Sequence, residues 1–181
     1  MHDAPGDWAH WRRRGVLAAA LGLAGCGFRP VYGTGADGSN PVLTGFSQTI
    51  VSTIPERQGQ LLRQALQDRL ERGGAGGARL YDLRVAVYAV SNDQIGIQQD
   101  SNPTRVRMTG KAIWSLLSLD AQQRTLTHGV AVATDGYDNL DMQYFAGEEA
   151  NAAAQRRLAL AVADALAAQL AHYFTAHSTG A

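Results

Sequence analysis

Few side chains in this sequence have the types and spacing that chemistry needs. The five histidines, His2, His10, His128, His172 and His177, are scattered, with neither a His-Glu-x-x-His run nor Cys/His ligand spacing for a metal. Asp138 with Asp141, and the adjacent Glu148-Glu149, offer paired carboxylates of the kind a glycosidase uses. Their position at the entry to a helical segment is explained better by favourable charge at the positive end of a helix dipole. No Gly-x-Ser-x-Gly elbow, phosphate-binding Walker loop or dinucleotide glycine pattern is present. Two patterns remain. One is Cys26, the only cysteine in 181 residues. The other is a strand-like segment in which Arg105, Arg107 and Lys111 fall on the same side. Forked arginine donors suit phosphate, while a solvated sheet face that discourages edge pairing carries the same alternation. Both readings of the three cations stand at this point.

The segment before Cys26 has the order of an export leader. Arg12, Arg13 and Arg14 form a cationic start, and Gly15 to Leu23 is an uninterrupted run of apolar and small residues. At 1.5 Å per residue such a run covers roughly half of a hydrocarbon core, so it suits a signal peptide and is too short to span a bilayer. The Arg13-Arg14 pair leaves twin-arginine export open beside the general route. Leu23-Ala24-Gly25-Cys26 resembles the bacterial lipobox. That resemblance implies diacylation of the Cys26 thiol, cleavage before it and N-acylation of the new terminus. Two or three acyl chains, at about 0.8 kcal/mol per buried methylene, hold a protein on a membrane without any spanning helix. The residue after the cysteine is Gly27 and not Asp, which by the same resemblance leaves the protein free to be sorted to the outer membrane.

Removing residues 1–25 takes away three arginines and two aspartates and leaves 13 basic against 14 acidic residues. A chain so balanced lacks the basic excess of a nucleic-acid binder. About 156 remaining residues make one domain with room for a core. With its single cysteine acylated, the domain has no disulfide and holds itself together by packing.

The expected organisation is a leader over residues 1–25, a lipidated tether over 26–42, one domain over 43–176 and a tail over 177–181. Glycine, proline and small polar residues dominate 27–40. Alternation with β-branched residues predicts a first strand from Phe46 to Ile54. Leu62, Ala65, Leu66 and Leu70 then make the apolar stripe of a helix that ends at the Gly73–Gly77 run. A second strand runs from Arg79 to Val90, with Tyr81, Leu83, Val85, Val87 and Ala89 on one face. Ser91-Asn92-Asp93-Gln94 reads as a turn. A third strand from Arg105 to about Leu119 puts Val106, Met108, Gly110, Ala112 and Trp114 opposite the cations. A hairpin at Asp120–Gln123 leads to a fourth strand from Arg124 to Thr134 with Leu126, His128, Val130 and Val132 aligned. Asp135–Asn139 reads as turn-like. A final helix extends from Phe145 to Phe174, its stripe repeating at Leu158, Val162, Leu166 and Leu170. Trp114 and Tyr88 suit either core packing or partner contact, with parity placing Trp114 in the core.

Several of these stretches occur in an order that resembles the LPS-assembly lipoprotein LptE family of Gram-negative bacteria, in its alphaproteobacterial form. They are Leu23-Ala24-Gly25-Cys26-Gly27-Phe28-Arg29-Pro30-Val31-Tyr32-Gly33, then Arg57-Gln58-Gly59-Gln60-Leu61-Leu62-Arg63-Gln64-Ala65-Leu66, then Tyr81-Asp82-Leu83-Arg84-Val85. Thr104-Arg105-Val106-Arg107, Tyr137-Asp138 and Tyr144-Phe145-Ala146 follow. The resemblance covers nearly the whole mature chain, and the Gly73–Gly77 run departs from it. It implies an α+β fold with two helices packed on one face of a four-stranded mixed sheet, in the order β-α-β-β-β-α. It implies a non-enzymatic lipoprotein of the outer membrane that plugs an LptD-type β-barrel, helps it assemble and assists delivery of lipopolysaccharide. No cofactor is expected beyond the lipid on Cys26. Lipopolysaccharide contact at Arg105, Arg107 and Lys111, and partner contact at Tyr137 and Tyr144, are the expected sites; capping or packing suits the two tyrosines as well. An auxiliary lipoprotein of another envelope lipid-transport system, or a lipid-anchored envelope hydrolase, is the alternative.

Overall fold

A computed structural model describes residues 40–71, 77–97, 103–138 and 144–177. Cys26, the leader, most of the tether and most of the Gly73–Gly77 run lie outside the described residues. Among the described residues the elements follow one another as α1 (Pro41–Ser47), β1 (Thr49–Val51), α2 (Glu56–Glu71), β2 (Tyr81–Ile97), β3 (Pro103–Ser118), β4 (Thr125–Asp138) and α3 (Tyr144–His177). The strands lie in the order β1-β2-β3-β4, with β1 parallel to β2 and the other pairs antiparallel. This is the α+β class expected, a four-stranded mixed sheet with the two long helices on one face.

The first strand is the largest correction. Phe46 and Ser47 belong to α1, and β1 is only three residues long. The reason is local: the Asn40 side chain accepts hydrogen bonds from the backbone N–H groups of Val42 at 3.0 Å and Leu43 at 3.2 Å, and Pro41 occupies the first helical turn. An asparagine cap followed by proline starts a helix more firmly than β-branched alternation starts a strand. Val42 and Phe46 are buried, so the packed domain takes in residues at the end of the expected tether.

Cross-strand pairing lengthens two other strands beyond their sequence signals. Ser91 to Gln94 remain in β2 because they pair with Thr109 to Val106 of β3. Asp135 to Asp138 remain in β4 because they pair with Met108 to Arg105. A long β3 supplies ladder partners to polar residues that alone would turn. The β2 faces also differ from the simple alternation. Val85 pairs with Trp114 but Val87 pairs with Ile113, so a bulge at Ala86 moves Val87 and Ala89 to the face away from the core. Tyr88 and Val90 take the core side instead. A second irregularity between Leu116 and Leu117 leaves Leu126 against the core while Val130 and Val132 face outward.

The long helices keep their predicted stripes. Leu62, Ala65, Leu66 and Leu70 of α2 are buried, as are Leu158, Val162, Leu166 and Leu170 of α3. At ~51 Å by rise, α3 is long and apolar enough to cross a membrane, yet it packs along β3 and β4 as a core helix. An ion pair between Arg69 and Asp164 joins α2 to α3. The α3 seam needs small residues beneath it. A Cβ on Gly110 would lie 3.0 Å from Val162 and 3.2 Å from Leu158, and one on Gly129 would lie 2.7 Å from Gln169 and 2.9 Å from Trp114. Gln169 uses that gap as a latch, its Oε1 accepting from Trp114 Nε1 at 3.1 Å and its Nε2 donating to the Val130 carbonyl at 2.9 Å.

Gly129→Val should therefore lower stability by roughly 1–3 kcal/mol through overpacking, while Thr134→Val on the exposed strand should change it by less than about 0.5 kcal/mol. Thermal denaturation of the two variants checks this. Equal midpoints would mean that α3 does not depend on the gap.

Candidate binding face

Because the described helices pack on one side, the other side of β2, β3 and β4 is left uncovered by the described residues. Side chains on a strand alternate between faces, and on β3 the core face holds Val106, Met108, Ala112 and Trp114, all buried. Arg105, Arg107 and Lys111 point the opposite way and are exposed. The structure thus places the three cations on one face of one strand, but gives each a different setting. Arg105 pairs in register with Asp138, and the two charges approach to 3.9 Å. Arg107 sits opposite Asp93. Lys111 is flanked by Ala89 and Val132 and has no ion-pair partner within 4 Å among the described residues.

The tyrosine and tryptophan candidates are placed differently. Tyr137 is half-buried and packs against the core from β4. Tyr144 is the first residue of α3, and its side chain lies outside the described residues. Trp114 is only 3% exposed, so parity was the right guide to it. Tyr88 is half-buried, and that burial pushes its phenol up to about 12, which keeps it neutral and a hydrogen-bond donor. Asp138 is engaged with Arg105, Asp141 lies outside the described residues, and Glu148 and Glu149 are exposed on α3.

A second grouping escaped the sequence. His128 of β4 and His172 and His177 of α3, far apart in the chain, line one groove of about 520 Å³ with Trp114, Gln169 and Tyr173. His177 stacks on Tyr173 with ring centres 4.1 Å apart and places Nδ1 2.8 Å from the Tyr173 carbonyl oxygen, as a helix C-terminal cap. Among the described residues no group of three or more His, Cys, Asp or Glu is placed to hold a metal ion. Sequence spacing offers no signal for this meeting, because it depends on how α3 lies along β4.

Two carboxylates are tied into the frame around these features. Asp120 accepts from Ser118 Oγ at 2.8 Å and from the backbone of Gln122 and Gln123 in the hairpin, and the Ser118 hydroxyl with nearby Arg124 holds its carboxyl below the usual range. Gln123 is held at φ 45°, in the left-handed region, within this turn. Partial burial would raise the Asp135 carboxyl, but hydrogen bonds from Arg157 and the Gly136 N–H outweigh it and hold the group low.

No family model matches the sequence, and no curated protein matches it. Solved structures do match. A protein from Caulobacter crescentus described as a lipoprotein superposes with a TM-score of 0.59 at 24% identity, over 75% of this chain and 96% of that one. A minor lipoprotein from Acinetobacter baumannii superposes at 0.54 with 14% identity, over 70% and 92% of the respective chains. Lipoprotein B from Nitrosomonas europaea gives 0.53 with 11% identity, over 71% and 83%. The fold is one that lipoproteins use. At such identities the likeness concerns the backbone, and the side chains of the open face must be read on their own chemistry.

The depressed carboxylates fix the sign of a pH effect. Asp120 and Asp135 sit lower folded than unfolded, so their stabilisation is present above the ordinary carboxylate value of about 3.9 and is lost as pH falls through the folded values. Asp135→Asn should cost about 0.2–1 kcal/mol at pH 7 and flatten the acid limb of stability. Urea midpoints from pH 7 to pH 2 measure it; an unchanged acid limb would contradict the assignment.

Proposed function

We propose that this protein is a lipid-anchored outer-membrane protein that binds an LptD-type β-barrel, assists its assembly and helps deliver lipopolysaccharide to the cell surface. The observation that carries the reading is the coincidence of a lipobox, Leu23-Ala24-Gly25-Cys26, with a fold shared by three lipoproteins. The element order supports it as well, since strands, helices and one-sided packing agree with what the sequence resemblance to the LptE family implied. On this reading Cys26 supplies the anchor and the domain supplies binding surfaces, with no turnover of its own. Such a protein needs a rigid frame with one face left open, and the side of β2, β3 and β4 that the described residues leave uncovered meets that need.

Anchoring and lipid contact make separable predictions. Cys26→Ser should shift the protein from the membrane pellet to the soluble fraction, or leave it uncleaved in the inner membrane, because the acyl chains are its hold on the bilayer. Unchanged partition into the outer membrane would overturn the anchor. Replacing Arg105, Arg107 and Lys111 together with Ser should weaken lipopolysaccharide binding roughly tenfold, about 1.4 kcal/mol, with the circular dichroism spectrum intact. Equal affinity would return the three cations to the role of a solvated strand face.

A further inference from the structure

β4 is the long free edge of the sheet: β3 pairs with one side of it, and no described strand pairs with the other. Along a strand, successive residues direct their backbone groups to alternate sides. The Ser118 N–H donates to the Arg124 carbonyl where β3 meets β4, and counting back along β3 in twos brings Trp114 and Ala112 to face Gly129 and Ala131 across the ladder. Val130, Val132, Thr134 and Gly136 therefore turn their N–H and C=O groups to the free edge.

Side chains close two of these positions. Gln169 Nε2 donates to the Val130 carbonyl at 2.9 Å. At Gly136 both backbone groups are engaged: the N–H donates to Asp135 Oδ1 at 2.7 Å, and the carbonyl accepts from Arg157 Nη2 at 3.3 Å. Arg157 Nε also donates to Asp135 Oδ2 at 2.8 Å, so the three residues lock one another. Between the two caps, the edge groups of Val132 and Thr134 have no hydrogen-bond partner among the described residues. Gln169 and Arg157 both belong to α3, so the edge closes as that helix docks.

An edge of this composition invites another strand. From Thr127 to Thr134 there is no Asp, Glu, Lys, Arg or Pro, and Val130, Val132 and Thr134 are β-branched and exposed. Such segments pair edge to edge unless a charge, a proline, a short strand or a cover prevents it. The strand that fits is β4 itself. A two-fold axis at Ala133 sets Val132 of each copy opposite Thr134 of the other, which joins their free edge groups in mutual hydrogen bonds. The same axis sets Val130 opposite Gly136, so the Gln169 cap of one copy stands against the Arg157 cap of the other. Capped carbonyls six residues apart are about 20 Å from one another, and a strand that pairs between them must run past both.

We propose that the β4 edge is a pairing surface for β4 of a second copy, and that Gln169 and the Arg157–Asp135 pair hold it shut and keep the chain monomeric. The inference goes beyond the proposed function and does not depend on it.

The test is light scattering on the full-length protein in nonionic detergent micelles, over a range of concentrations. Wild type should remain monomeric. Gln169→Glu keeps an acceptor for Trp114 Nε1 but cannot donate to the Val130 carbonyl, and Arg157→Ala removes the second cap. The double variant should dimerise at concentrations at least about tenfold below any at which wild type does. Adding Val132→Pro removes an edge N–H without touching the β3 ladder, and should return the double variant to a monomer. Thr134→Lys takes its place should the proline cost the circular dichroism signal. Should the double variant itself lose that signal, the two single variants decide, each with a smaller shift in the same direction. A dimeric wild type, cap variants that stay monomeric with their circular dichroism intact, or a dimer that survives the change at Val132 or Thr134 would overturn the proposal. So would growth beyond a dimer, because pairing across a two-fold axis uses up the free edge.

Discussion

The close approach of α3 to β3 and β4 is the constraint on which the rest of the structure depends. The helix buries Leu158, Val162, Leu166 and Leu170 over a trough of Gly110, Ala112, Gly129 and Ala131. Small residues on the strands let large ones on the helix reach the sheet, and truncating one buried leucine to alanine in such a seam costs about 2–5 kcal/mol. The trough also admits the Gln169 side chain, which satisfies the indole of the buried Trp114 and an edge carbonyl of β4 at once. Packing and polar satisfaction therefore meet at the same glycine.

The same seam decides what is left exposed. With α2 and α3 on one side, and α1 closing the core through Phe46 against Phe174, the second side of the sheet has no cover among the described residues. The β2 bulge then sorts that side into an apolar block around Lys111 and a polar region in which Asp138 and Asp93 stand opposite Arg105 and Arg107. Fold and surface chemistry are thus linked: the bulge and the two long pairings that build the sheet also place the residues with which it meets its surroundings.

Much of this was legible in the sequence, and the misses share a cause. The β3 faces and the α3 stripe were readable because each depends on a period within one element, and Trp114 followed from parity. Ser91–Gln94 and Asp135–Asp138 were misread as turns because their partners on β3 hold them extended. Val87 was assigned to the wrong face because a bulge is fixed by two strands and leaves no mark in one. The Asn40-Pro41 start of α1 was a readable signal that β-branched alternation concealed. Among site residues, the shared face of Arg105, Arg107 and Lys111 was legible. The different company each keeps was not, since that is set by register. The meeting of His128 with His172 and His177 likewise depends on helix placement.

The central claim, that this domain serves as the anchored partner of an envelope β-barrel, is tested most directly by purifying the tagged full-length protein from detergent-solubilised outer membranes and identifying what comes with it. A large β-barrel of the LptD type in stoichiometric amount is the predicted result. Recovery with an inner-membrane transporter or a soluble lipid carrier, and no barrel, would contradict the claim and assign the same fold and anchor to a different lipid-transport system.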